Sequence, residues 1–213
     1  MTKEELILLL EDTLREMPQS IDDIHAIKKL FSTALSTINS ERIAALSKLS
    51  AIALYANLLM GDFAVLFHQF LSSQFLYERK YAMAKLYPLM NESFKRLYGF
   101  VNEKTGQVVL SPDSYWKIIQ ELRPLMNEQE IALFDQLDGV LLRKASFSWW
   151  KDERSAETHI DVEKIYAHRC KQRNENVAIW DSISFYDVLS KTTALTAVML
   201  TRLSGSRMHP EKS

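Results

Sequence analysis

Residues 49–77 read LSAIALYANLLMGDFAVLFHQFLSSQFLY, and in this stretch Asp62 and His68 are the only acidic or basic side chains. Asp62 divides it into runs of 13 and 15 residues, each shorter than the roughly 20 apolar residues needed to span a bilayer. The Ala, Leu, Ile and Phe positions cover most of a helical circumference, and a helix apolar all round belongs at the centre of a bundle. We therefore expect a buried central helix from Ile43 to about Ser73, capped by Ser40, with Leu58 in the core. A transmembrane hairpin is the alternative.

Helix signals continue on both sides. Thr2 and Glu5 form a capping-box pattern that opens a helix to about Met17. Pro18 is expected to stop it, and Ser20, Asp22 and Asp23 to open another, to about Asn39. Residues 74–98 carry Tyr77, Tyr81, Leu86, Leu89, Phe94 and Leu97 at helical spacing, with Pro88 as a kink and Gly99 as C-terminal cap. Residues 100–111 read as a connection with room for a short hairpin around Gly106. Ser111-Pro112-Asp113 starts the next helix. Asn127 with Glu130 starts another, expected to continue through Trp149 and Trp150 to about Asp161. Val162 to Asn176 is polar and basic, Trp180 to Leu203 is a final amphipathic helix, and residues 205–213 form a flexible tail. The expected architecture is all-α, a bundle of six to eight helices forming one domain over residues 1–204.

Composition supports this class. The 213 residues include 5 Gly and 5 Pro, where average usage gives roughly 25 together, too few for the tight turns of a sandwich or barrel. Apolar residues make up 47% and charged ones 25%, the balance of a globular chain rather than a disordered one. With 26 basic and 27 acidic residues, no global positive field exists to hold duplex nucleic acid. One cysteine, Cys170, forms no internal disulfide. The start Met-Thr-Lys-Glu-Glu lacks the pattern of a signal peptide. The expectation is a cytoplasmic protein that does not engage the membrane.

Several chemistries have no residues to carry them. The glycines are isolated, so no phosphate loop is read. Scattered histidines and one cysteine do not make a structural zinc site, and no Glu-x-x-His pair follows the di-iron bundle pattern. No metal and no cofactor is expected. Glu92 and Glu121 read as solvated acids, His25 and His209 as exposed, and His68 as a hydrogen-bonded core histidine.

Cations and histidines gather in one window. It runs Trp149-Trp150-Lys151-Asp-Glu-Arg154-Ser155-Ala-Glu-Thr-His159-Ile-Asp161, then Lys164-Ile-Tyr-Ala-His168-Arg169-Cys-Lys171-Gln-Arg173. An arginine beside a histidine suits RNA cleavage. The imidazole moves protons near neutral pH, and the guanidinium grips phosphate and stabilises growing charge.

Arg154-x4-His159, in a helical chain and ahead of a final amphipathic helix, resembles the motif of the HEPN superfamily, particularly its abortive-infection and toxin branches. Ser155 and Asp161 match the small polar residue and the acid that often accompany that motif. The likeness covers residues 127–204. It implies a helical bundle that dimerises so that two motifs face one cleft, and metal-independent endoribonuclease activity. By that resemblance Arg154 binds the scissile phosphate, His159 transfers protons and Asp161 orients the imidazole. Lys151, His168, Arg169, Lys171 and Arg173 contact RNA. The partners implied are an RNA substrate, a second copy, and a cognate antitoxin or regulatory protein. One departure stands out: Lys164-Ile-Tyr-Ala-His168 also looks like the end of many such motifs, and in that register the arginine position holds Val162.

Blander readings exist for the same residues. Arg154 and His159 could sit in a surface ion-pair network with Asp152, Glu153, Glu157 and Asp161. His168 and Arg169 could be helix-end cations. Trp149 and Trp150 could stack bases or line an interface. The chain would then be a non-catalytic module for protein binding or dimerisation. A ligand-binding bundle with a pocket near Trp116 is a third class.

Overall fold

The structure, a computed structural model, describes residues 2–37, 41–101, 108–110, 114–143 and 175–205. Among these residues it is an all-α bundle. Six α-helices occur: α1 (Lys3–Thr37), α2 (Glu41–Ser72), α3 (Leu76–Leu97), α4 (Tyr115–Glu121), α5 (Glu128–Arg143) and α6 (Glu175–Gly205). A 3-10 turn, Arg123–Leu125, joins α4 to α5. The room left for a hairpin is used: β1 (Gly99–Val101) pairs antiparallel with β2 (Val108–Leu110), Phe100 facing Val109. Gly99 enters the hairpin at φ 137°, a conformation that a Cβ disfavours.

The capping box at the start of α1 forms, with the Thr2 backbone N–H donating to Glu5 at 2.7 Å and the Glu5 N–H to Thr2 Oγ1 at 3.2 Å. The expected break at Pro18 does not occur, and α1 runs unbroken through that proline. An interior proline costs about 3 kcal/mol. Leu6, Leu10, Ile24 and Phe31, with Leu14 and Met17 partly buried, keep one apolar phase across it and pack into the shared core, which outweighs that cost. Ser20, expected to cap a new helix, instead donates to Asn57 Oδ1 on α2 at 2.9 Å.

Cross-links fix the helix directions. Ser20 with Asn57 and Glu11 with His68 make α1 and α2 antiparallel. Arg79 with Glu175, Tyr87 with Asp181 and Tyr98 with Thr192 make α3 and α6 parallel. α2 packs against α1, α3 and α6. Its Phe63 ring lies 5.5 Å from Phe67 and 5.2 Å from Phe185 of α6. The central position expected for α2 is thus found, but Leu58 is not in the core: it is 46% exposed, and Val65 is 52% exposed. α1, α3 and α6 cover three sides of α2, with α4 adding Tyr115 edge-on against Tyr55 at 5.3 Å, and Leu58, Asp62 and Val65 share the fourth side.

Boundaries near the end of the chain also differ from the sequence reading. α6 begins at Glu175, five residues before the expected Trp180, and includes Gly205. α5 is described to Arg143; its expected continuation to Asp161, the start at Ser111-Pro112-Asp113 and the tail beyond Gly205 lie outside the described residues. Within them, α4 starts at an N-cap Ser114 that accepts the Lys117 N–H at 3.4 Å.

Candidate functional site

Every residue assigned to the RNA-cleaving motif falls in one connection. Lys151, Arg154, His159, Asp161, His168, Arg169, Lys171 and Arg173 lie outside the described residues, as do Trp149 and Trp150. The helices that bracket this connection are described in detail.

At one end, Asn127 and Glu130 form the second capping box read from the sequence. The Asn127 N–H donates to Glu130 Oε2 and the Glu130 N–H to Asn127 Oδ1, both at 2.9 Å. Glu130 is fully buried, yet the Arg202 guanidinium from α6 meets it with Nε at 2.8 Å from Oε1 and a terminal nitrogen at 2.7 Å from Oε2. The same terminal nitrogen donates to the Leu125 carbonyl. Burial alone would raise the Glu130 carboxyl. The Arg202 hydrogen bonds, the Asn127 N–H and the guanidinium charge outweigh burial and hold it below its ordinary range.

This clamp joins the N-terminal turn of α5 to the C-terminal turn of α6, so the two helices are antiparallel. The C-terminus of α5 and the N-terminus of α6 therefore point the same way. Counted from the clamp, Arg143 lies 13 residues along α5 and Glu175 lies 27 residues back along α6, so at 1.5 Å per residue the last described turn of α5 stands about 20 Å short of the end where α6 and α3 begin.

That end carries titratable and apolar groups together. Arg79 Nε on α3 lies 3.4 Å from Glu175. About two turns further in, the Tyr87 hydroxyl donates to Asp181 Oδ2 at 3.1 Å. Burial pushes the Asp181 carboxyl up to about 6, with the Tyr87 hydrogen bond opposing the shift. Phe75, Leu76, Val177 and Trp180 are all exposed there, Trp180 by 69%. Sequence reasoning missed Tyr87 and Asp181. A signal existed: Asp181 stands three residues after Ala178 and four before Phe185, both buried, so its phase puts a carboxylate toward the core.

Other constellations are weaker. Ser72 Oγ lies 3.5 Å from His68 Nδ1, and His68 Nε2 lies 3.4 Å from Glu11, the order of a hydrolase triad. Ser72, however, ends α2, where free carbonyls rather than N–H groups gather, and acyl transfer needs donors at the oxyanion. His68 is consequently a half-buried surface link between α1 and α2, not the core histidine expected from its apolar helix. Around Trp116 the space is filled by side chains. Phe134 stacks on it at 4.6 Å, Tyr98 meets it edge-on at 5.8 Å, and its Nε1 donates to Asp138 at 3.0 Å. Among the described residues no group of three or more His, Cys, Asp or Glu is placed to hold a metal ion. By length and composition, Ile43–Ser72 could cross a membrane, and 56% of its most apolar window is buried against the rest of the chain.

Comparison with protein-family models, with curated proteins and with solved structures finds no match to this chain.

Proposed function

We propose that the chain is a HEPN-like, cytoplasmic endoribonuclease whose chemistry resides in the connection between α5 and α6. The supporting observation is the Glu130–Arg202 clamp. It holds α5 and α6 antiparallel, so the ends of the two helices that flank the segment with Arg154 and His159 in sequence point the same way. In this reading Arg154 neutralises the scissile phosphate. The 2′-oxygen forms a bond to phosphorus as the bond from phosphorus to the 5′-oxygen breaks. The proton lost by the 2′-hydroxyl ends on the 5′-oxygen, with His159 moving it and Asp161 orienting the ring. Lys151, His168, Arg169, Lys171 and Arg173 hold RNA, a second copy supplies another motif, and a cognate antitoxin or regulatory protein restrains the activity.

The test is cleavage of a mixed RNA pool in excess EDTA. Wild type should leave 2′,3′-cyclic phosphate ends. His159→Ala should be inactive and normally folded, and Arg154→Lys should fail because an ammonium loses the planar two-point grip on phosphate. A dead His168→Ala with an active His159→Ala would move the site to the Lys164–His168 register.

A second reading, a non-catalytic protein-binding module, is favoured by Phe75, Leu76 and Trp180 exposed where α3 and α6 begin. Wild-type protein that cuts no RNA, where a metal-free ribonuclease does, would leave this reading in place.

A further inference from the structure

The uncovered side of α2 has an order of its own. Ala44, Ala51, Leu58 and Val65 follow one another at seven-residue intervals along it. Leu58 and Val65 are exposed, and Ala44 and Ala51 are half-buried. Small side chains therefore occupy the N-terminal half of the stripe and large ones the C-terminal half. Lys48 and Asp62 are exposed at opposite ends of the same side, and neither makes an ion pair among the described residues. Gly61 lies beside them, and a Cβ there would meet nothing within 4 Å. Packing inside the chain does not demand that glycine, although glycine weakens a helix interior.

We propose that this side of α2 is a two-fold interface with a second copy of the chain, the two α2 helices crossing antiparallel about a point between Leu54 and Tyr55. In that register Leu58 of each copy faces Ala51 of the other and Val65 faces Ala44, so each large side chain meets a small one. Such alternation lets facing helices interdigitate. Lys48 of each copy comes beside Asp62 of the other, giving two ion pairs, and its stem crosses Gly61, where no side chain stands in the way. A parallel pairing would instead set Asp62 against Asp62 and Leu58 against Leu58, so charge complementarity selects the antiparallel one. At 1.5 Å per residue, this arrangement carries the two copies of Glu175, each held by Arg79 beside the C-terminal end of α2, about 50 Å apart. A contact between motif segments would be a separate interface, and the inference does not rest on ribonuclease activity.

Sedimentation equilibrium of the full chain tests it. Wild type should weigh about twice 24.7 kDa at micromolar concentration. Asp62→Lys and Lys48→Asp should each raise the dimer dissociation constant about tenfold or more, since two attractive contacts become repulsive. The double exchange Lys48→Asp with Asp62→Lys should restore the wild-type constant. Leu58→Glu should give a folded monomer that melts where wild type melts when diluted to its own monomer, because Leu58 is already half open to water. Leu30→Glu, on the 70% exposed Leu30 of α1, should leave the dimer intact. A wild-type monomer at tens of micromolar overturns the proposal. A dimer indifferent to the charge reversals, or one that the double exchange does not restore, also overturns it. So does a monomer that binds phosphatidylcholine vesicles through Leu58, which would make the face a lipid surface.

Discussion

Replacing Arg202 by Met tests the frame on which the candidate site depends. The change keeps a long side chain against α5 but removes the donors that meet Glu130 at 2.8 and 2.7 Å and the one to the Leu125 carbonyl. Glu130 is 0% exposed, so its carboxylate keeps only the Asn127 N–H. Stranding a buried charge costs about 3–5 kcal/mol. The Arg202 side chain is 35% exposed, so some water reaches the vacated position, and about 3 kcal/mol is the expected loss at pH 7. In urea this should appear as a lower midpoint with an unchanged slope. Glu130→Gln with Arg202→Met removes both charges and should recover most of that loss. Acid provides an independent check of sign. The folded-state carboxyl lies below its ordinary value of 4.5, so its stabilisation is present above 4.5 and disappears as pH falls through the folded value. Arg202→Met leaves burial to raise the carboxyl instead, so the variant's deficit against wild type should shrink as acid protonates Glu130. A loss under 1 kcal/mol, or an unchanged acid limb, would refute the clamp as the feature fixing α5 against α6.

Other positions separate core from surface. Phe63→Ala should cost about 3–5 kcal/mol by chemical denaturation, because the ring is fully buried between Phe67 and Phe185 and the cavity cannot close. Leu58→Asp, by contrast, should change monomer stability by less than about 0.5 kcal/mol. Pro18→Ala should raise the melting temperature, adding about 2 kcal/mol once the looser unfolded chain is allowed for. Asp181, with its folded carboxyl raised from 3.8 to about 6, favours the fold below 3.8 and loses that contribution as pH rises through 6. Asp181→Asn, still able to accept from Tyr87, should therefore stabilise the chain at pH 7 by about 1 kcal/mol after solvent screening and remove the slope between pH 4 and 6.

Local signals in the sequence were readable where the physics is local. The Thr2–Glu5 and Asn127–Glu130 capping boxes form because each needs only four consecutive residues. Gly99 takes the positive φ that its position after α3 requires. Pro18 misled because its effect is local while the force opposing it is tertiary: Leu6, Leu10, Ile24 and Phe31 hold one face across it. Leu58 misled for the complementary reason. A helix apolar on every side implies neighbours on every side, but composition does not say how many helices are there to supply them, and α2 has three long ones. Asp181 shows the converse, a polar residue whose phase among Ala178 and Phe185 already marked it as inward-facing.

The candidate site divides along the same line. Its frame was partly legible, since Asn127 and Glu130 announce the start of α5 and the apolar phase of residues 180–203 announces α6. The partner that joins them was not, because nothing local links Glu130 to Arg202, 72 positions away. The motif itself is the opposite case. Arg154 and His159 are read from spacing and chemistry alone, ahead of the polar and basic stretch Val162 to Asn176. A pattern of that kind names a chemistry without fixing its geometry. On this argument the stability variants and the catalytic variants should separate cleanly. Arg202→Met should weaken folding and RNA cleavage together, whereas His159→Ala should abolish cleavage and leave the urea midpoint where it was.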